Sequence, residues 1–266
     1  MAGRIYATSR TGLALALGLT VSTAAFADPW DGYYIGAFAG GAWGQADFNT
    51  DAGATTPTSY FSSDANIASV ARDSSGKANA RSFTGGIQLG ATRRFDRFVA
   101  GADVDFSALD LSGGRGAANI AYPSDPGWNY NVRTSYSTDW LFTARGRVGW
   151  LASENLMFFA TGGLAISDVK VWNSFSDTGP QIGRGGSSNR ETKAGYTIGG
   201  GLELALGKSW SVKGEYLYVD LGHATAASTV DCTVIPACSI ISSPFKTSSD
   251  ITANIARVGI NYSFSD

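Results

Sequence analysis

Eight ionisable residues stand at strand-like spacing in this chain: Asp103 and Asp105, Arg145 and Arg147, Glu203, Lys213 and Glu215, and Arg257. Carboxylates two positions apart, such as Asp103 and Asp105, could divide acid and base work between them. Their setting favours a different use. Each charge lies on the face of its segment opposite an apolar and aromatic face. Charges enclosed in a narrow protein must meet opposite partners, because an isolated one is too costly to desolvate. Four of the eight are acidic and four basic, so the set sums to zero. The expectation is a self-neutralising interior network: Asp103 and Asp105 beside Arg145 and Arg147, Glu203 beside Lys213, and Glu215 beside Arg257.

His223 is the single histidine. A Ser/His or Asp/His arrangement would be needed for lipid hydrolysis, and one histidine among many serines is what chance supplies. It also cannot assemble a closed metal shell without a His/Cys cluster. Glycine clusters at 40–41, 85–86, 162–163 and 199–201 fall mid-strand, with no following helix to supply a phosphate-binding N-terminus. Their expected use is to make room for long interior side chains. No catalytic, cofactor-binding or metal-ligating set is expected. Cys232 and Cys238, with five residues between them, are expected to form a disulfide in an exported protein.

The elements that position these residues are strands. Residues 140–166 read as a hairpin around a polar turn at 152–155. In its first strand Trp140, Phe142, Ala144, Gly146, Val148 and Trp150 share one face, and Arg145 and Arg147 the other. Such period-2 alternation marks a strand with two chemically different sides. The pattern recurs at 33–44, 81–92, 98–106, 196–206, 210–218 and 256–264. Helix signals are weak and 34 glycines are present. The connections alternate between long polar stretches (45–80, 110–139, 168–191, 222–249) and short turns (93–97, 152–155, 207–209). An even strand number, apolar and aromatic outer faces, and loops sorted by length are the signature of a transmembrane β-barrel. Closure is required because an open sheet edge in lipid would leave backbone groups unpaired. The expected fold is all-β: an eight-stranded antiparallel up-and-down barrel, with the long loops extracellular.

Arg4 and Arg10, an apolar run at 12–21 and the small-x-small triplet Ala25-Phe26-Ala27 read as a signal peptide over residues 1–27. The alternative, an anchoring helix, would want about 20 apolar residues. The barrel domain is then expected over 28–266. A formal charge of −2 with no Lys/Arg block argues against a nucleic-acid partner.

Five segments carry a family resemblance: Trp30 to Gly36 (WDGYYIG), Gly101 to Phe106 (GADVDF), Thr143 to Trp150 (TARGRVGW), Ala160 to Ala165 (ATGGLA) and Arg257 to Phe264 (RVGINYSF). In this order they resemble the small outer-membrane β-barrel proteins of α-proteobacteria, relatives of the OmpA-type eight-stranded transmembrane domain. The resemblance covers the strands and not the loops. It implies a porin-like, non-enzymatic envelope protein of a Gram-negative outer membrane. Its partners would be outer-membrane lipid, lipopolysaccharide and the barrel-insertion machinery. Family members usually end on an aromatic residue, whereas here Ser265 and Asp266 follow Phe264. Either the insertion machinery tolerates two more residues or insertion is less efficient. The expected function is structural: envelope support and display of surface loops. The rivals are a surface module for an unknown extracellular ligand and a small-solute pore, the latter disfavoured because side chains just fill an eight-stranded interior.

Overall fold

The computed structural model describes residues 28–233 and 241–264. The expected leader (1–27), Cys238 and the terminal pair Ser265 and Asp266 lie outside the described residues. The described residues form eight strands: β1 (Gly32–Asp51), β2 (Gly76–Phe95), β3 (Phe98–Ala121), β4 (Asn129–Ser153), β5 (Leu156–Asp177), β6 (Gly183–Ala205), β7 (Trp210–Cys232) and β8 (Ser242–Phe264). Each pairs antiparallel with its sequence neighbour, and β1 pairs with β8 from Tyr33↔Phe264 to Asp51↔Lys246, closing the barrel.

The wall has two regimes. At the short-turn end the outer face is apolar on every strand, with Phe83 90% and Val148 64% exposed. A continuous belt of this kind is stable only against an apolar medium. Aromatics border it: Trp210 meets Tyr262 edge-on near one rim, and Phe106 stacks on Trp140 near the other. Trp140 and Trp150 lie ten residues apart on β4. That is about 33 Å along the strand and about 25 Å once tilted, the height of a lipid-facing band.

Beyond the belt the strands continue, and their polarity inverts. Outward positions become Asp110, Ser112, Arg133, Ser135, Asp168 and Lys170, while Leu109, Leu111, Val169, Val171, Val219 and Leu221 turn inward and are buried. This corrects the four long loops expected from sequence. Most of 110–139 and 168–191 is strand, as are 222–232 and 242–249, and the first two connections shrink to 122–128 and 178–182. A strand that has left the lipid shows Ser, Asn and charge on its outer face, and reads as a loop to an eye seeking apolar outer residues.

The remaining long connection, 52–75, carries an unexpected helix, α1 (Asp64–Ser74). Ser63 caps it by accepting from the Asn66 amide at 3.2 Å. Ile67 and Val70, three apart on one face, bury into an aromatic cluster at the barrel mouth with Tyr60, Phe61, Tyr122, Tyr130, Phe175 and Phe245.

Candidate functional site: the barrel interior

Alternation on β3, β4, β7 and β8 aims Asp105, Arg145, Glu215 and Arg257 into the lumen at one level. They form a closed ring of alternating charge. Arg145 donates to Asp105 at 2.8 Å and to Glu215 at 2.6 Å. Arg257 donates to Glu215 at 2.7 Å and to Asp105 at 2.9 Å. Each guanidinium thus bridges two carboxylates and each carboxylate two guanidiniums. Two links join register neighbours or near neighbours, while Arg145–Glu215 and Arg257–Asp105 span the lumen between strands that do not pair. Thr143 adds a hydrogen bond to Asp105 at 2.7 Å. The Arg257 guanidinium lies 4.0 Å from the Phe38 ring centroid, a cation–π contact.

A second layer lies toward the short-turn end. Arg147 donates to Glu203 at 2.6 Å and to the Tyr34 hydroxyl at 3.2 Å, and stacks over Phe159 at 4.4 Å. The Tyr34 hydroxyl donates to Asp103. Asn261 donates to Glu203 at 2.8 Å and accepts from Gln88. Tyr34 fits because Gly90 opposes it: a Cβ at Gly90 would fall on the tyrosine ring. Gly40 similarly leaves room for Arg257, whose own Cβ would lie 2.8 Å from an added one.

The structure brings together Asp103, Asp105, Arg145, Arg147, Glu203, Glu215 and Arg257: the expected neighbours Glu215 and Arg257 pair, as do Asp105 and Arg145, while the other partners differ from those expected. Asp105 takes Arg145, while Asp103 stays 3.9 Å from Arg145 and 3.8 Å from Arg147. Lys213 lies opposite Glu203 in register, yet the two form no ion pair. Glu203 is already occupied by Arg147, Ser211 and Asn261. Lys213 Nζ is buried without a hydrogen-bond partner, 5.9 Å from the Phe159 ring centroid. A long planar guanidinium can satisfy two carboxylates at once, which a neighbouring ammonium cannot match. Tyr34, Phe38 and Phe159 were missed because only charge was sought. The inward alternation of Tyr34 and Phe38 with glycines was their signal.

Apolar layers seal the charges on both sides. Below them Trp30, Val99, Leu151, Met157, Phe159 and Ala205 close the short-turn end, with the Trp30 indole donating to the Glu154 carbonyl at 2.8 Å. Above them, Leu109, Leu141, Leu217 and Ile255 begin a long apolar core. At the far mouth Asp177 gathers the cap: Tyr60 and Tyr122 donate to it at 2.8 Å each, as does the Gly183 amide. Burial, together with the adjacent carboxylate, pushes both phenols well above the ordinary tyrosine range.

His223 lies on the exposed outer surface and bonds to Asp250. Among the described residues no side-chain hydroxyl hydrogen-bonds to it. Cys232 closes β7; the expected Cys232–Cys238 bond involves a residue outside the described set.

Comparison with known proteins agrees with this architecture. The family model described as "Outer membrane protein beta-barrel domain" matches residues 11–264. A 31 kDa outer-membrane immunogenic protein of Brucella melitensis is 32% identical over 238 residues, covering 88% of this chain and 84% of that protein. A 22 kDa outer membrane protein of Rhizobium leguminosarum bv. viciae is 28% identical over 196 residues, covering 73% and 65%. Among solved structures, OprG from Pseudomonas aeruginosa aligns at 10% identity and a TM-score of 0.41, over 89% of this chain and 97% of that one. With its closed barrel and lipid-facing belt, the chain belongs to the outer-membrane β-barrel protein family, among the small barrels of α-proteobacteria, and is located in the outer membrane.

Proposed function

We propose that this protein is a non-enzymatic, plugged barrel whose work is structural: it reinforces the outer membrane and carries a long extracellular β-extension. One observation supports this most strongly, the stacking of apolar plug, charge ring, apolar core and aromatic cap along the lumen. A general pore needs a continuous aqueous path, and an eight-stranded interior is just filled by side chains. A deletion strain tests the role. Leakage of periplasmic protein and sensitivity to detergent, both reversed by the wild-type gene, are expected. An intact envelope with lost uptake of a solute would contradict it. A second reading, surface binding, is favoured by a trough on the outer face of β3, β4 and β5 in the extension.

A further inference from the structure

Beyond the belt, β3, β4 and β5 present a trough of about 970 Å³ on their outer face. Three cross-strand rows build it. Arg133 pairs in register with Gly116, Ser135 with Trp172, and Ser137 with Lys170. β3 is hydrogen-bonded to β2 only as far as Leu109, so its outer half forms one free side of this sheet.

Within the trough the charge is one-sided: Arg115, Arg133 and Lys170 line it. Arg133 and Lys170 are exposed, and among the described residues neither makes an ion pair or a side-chain hydrogen bond. No acidic residue lines the trough. The contrast with Arg190 on β6 is direct: that arginine is held by Asp168 at 2.8 Å and Asp139 at 3.4 Å. Trp172 lies between the two free cations. Its position is two residues from Lys170 and two from Ser174, the register partner of Arg133. Each cation is therefore about 7 Å from it along the strand direction. Glycine and serine make up most of the remaining floor, leaving space and hydroxyl groups. An indole face with hydroxyls beside it suits the C–H face and hydroxyls of a sugar ring. Cations on either side suit phosphate or carboxylate groups one or two sugars apart.

Height above the membrane selects the source. Ile166 is the last outward apolar residue of β5 before Asp168, and Lys170 follows it by four positions. Arg133 lies seven positions from Trp140 on β4. At about 3.3 Å per residue and a tilt of about 40°, the two cations stand about 10 and 18 Å above the hydrocarbon edge. That is the zone occupied by sugars attached to lipids of the same leaflet.

We propose that the trough binds the anionic core saccharide of lipopolysaccharide, with Trp172 under a sugar ring and Arg133 and Lys170 on its acidic groups. The inference rests on the extracellular orientation of the long strand ends. Labelling of a tag within 52–63 on intact cells checks that orientation separately, so the two failures can be told apart.

The test uses the full-length mature chain refolded in phosphatidylcholine nanodiscs and titrated calorimetrically with core oligosaccharide released from lipopolysaccharide by mild acid. Arg133→Ala combined with Lys170→Ala should weaken binding at least tenfold, about 1.4 kcal/mol. Trp172→Ala should weaken it independently, and Arg190→Ala should leave it within twofold. Heat-modifiable gel mobility confirms that each variant is folded. Absence of wild-type binding, or an unchanged affinity in the double variant, would overturn the proposal. So would equal binding of a dephosphorylated, carboxyl-reduced oligosaccharide, or tighter binding of poly-glutamate or of polygalacturonate, which would assign the trough to an acidic peptide or to a foreign glycan.

Discussion

Arg145 is the residue on which the ring turns, because it satisfies Asp105 and Glu215 on opposite sides of the lumen. Its removal leaves Arg257 alone with two buried carboxylates. We expect Arg145→Ala to destabilise the folded barrel by about 3–5 kcal/mol, the usual consequence of breaking a buried ion pair on one side. Arg145→Ala with Glu215→Ala leaves the neutral pair Asp105–Arg257, so the double variant should cost less than the sum of the two single changes. Urea unfolding followed by heat-modifiable mobility measures both. Strict additivity would mean that the ring is not a coupled unit. At this scale the sequence was legible as far as sign and face. Alternation located all eight interior charges, and their zero sum foretold mutual neutralisation. Neighbouring strands gave Glu215–Arg257 and Asp105–Arg145, but the remaining partners were hidden, because they depend on which side chains can reach across the lumen. That is a property of closure, absent from any strand read alone, and it is why Glu203 takes Arg147 rather than Lys213.

At the scale of elements, the cap is held by hydrogen bonds that require protonated phenols. Tyr60 and Tyr122 both donate to Asp177, and their folded-state pKa values lie above the unfolded value of 10.0. For a phenol raised in the fold, the stabilising contribution is complete below about pH 10. It is lost as pH rises further, since the unfolded or detached segment releases its protons first. The cap should therefore open at alkaline pH while the belt remains closed. Limited proteolysis within 52–63 should accelerate above pH 10 with no loss of heat-modifiable mobility. Tyr122→Phe should accelerate it already at neutral pH. A cleavage rate flat from pH 7 to 11 would contradict this. The belt strands were readable because lipid demands apolar outer residues. Their extensions were not, because water outside and an apolar core inside reverse the pattern while Ser, Gly and Asn dilute it, as in 183–191 of β6. The helix α1 escaped for a related reason. Ile67 and Val70 are its main apolar anchors, and they gain a partner only when the barrel mouth is present to receive them.

The whole molecule is two barrel segments joined end to end, one with its apolar face turned outward to lipid and one folded around an apolar core with its outer face in water. We propose that the second faces the cell exterior. Tags within 52–63 should label on intact cells and tags at 154–155 only after the outer membrane is opened; the reverse pattern would invert the topology. The filled lumen is the property on which the proposed role depends. Its most direct measurement is single-channel conductance of the purified protein in planar bilayers. We predict at most small, rare conductance steps for the wild type, because apolar plug, charge ring and apolar core leave no continuous water path. A large, stable conductance in the wild-type protein would contradict the plugged barrel and establish a pore in its place.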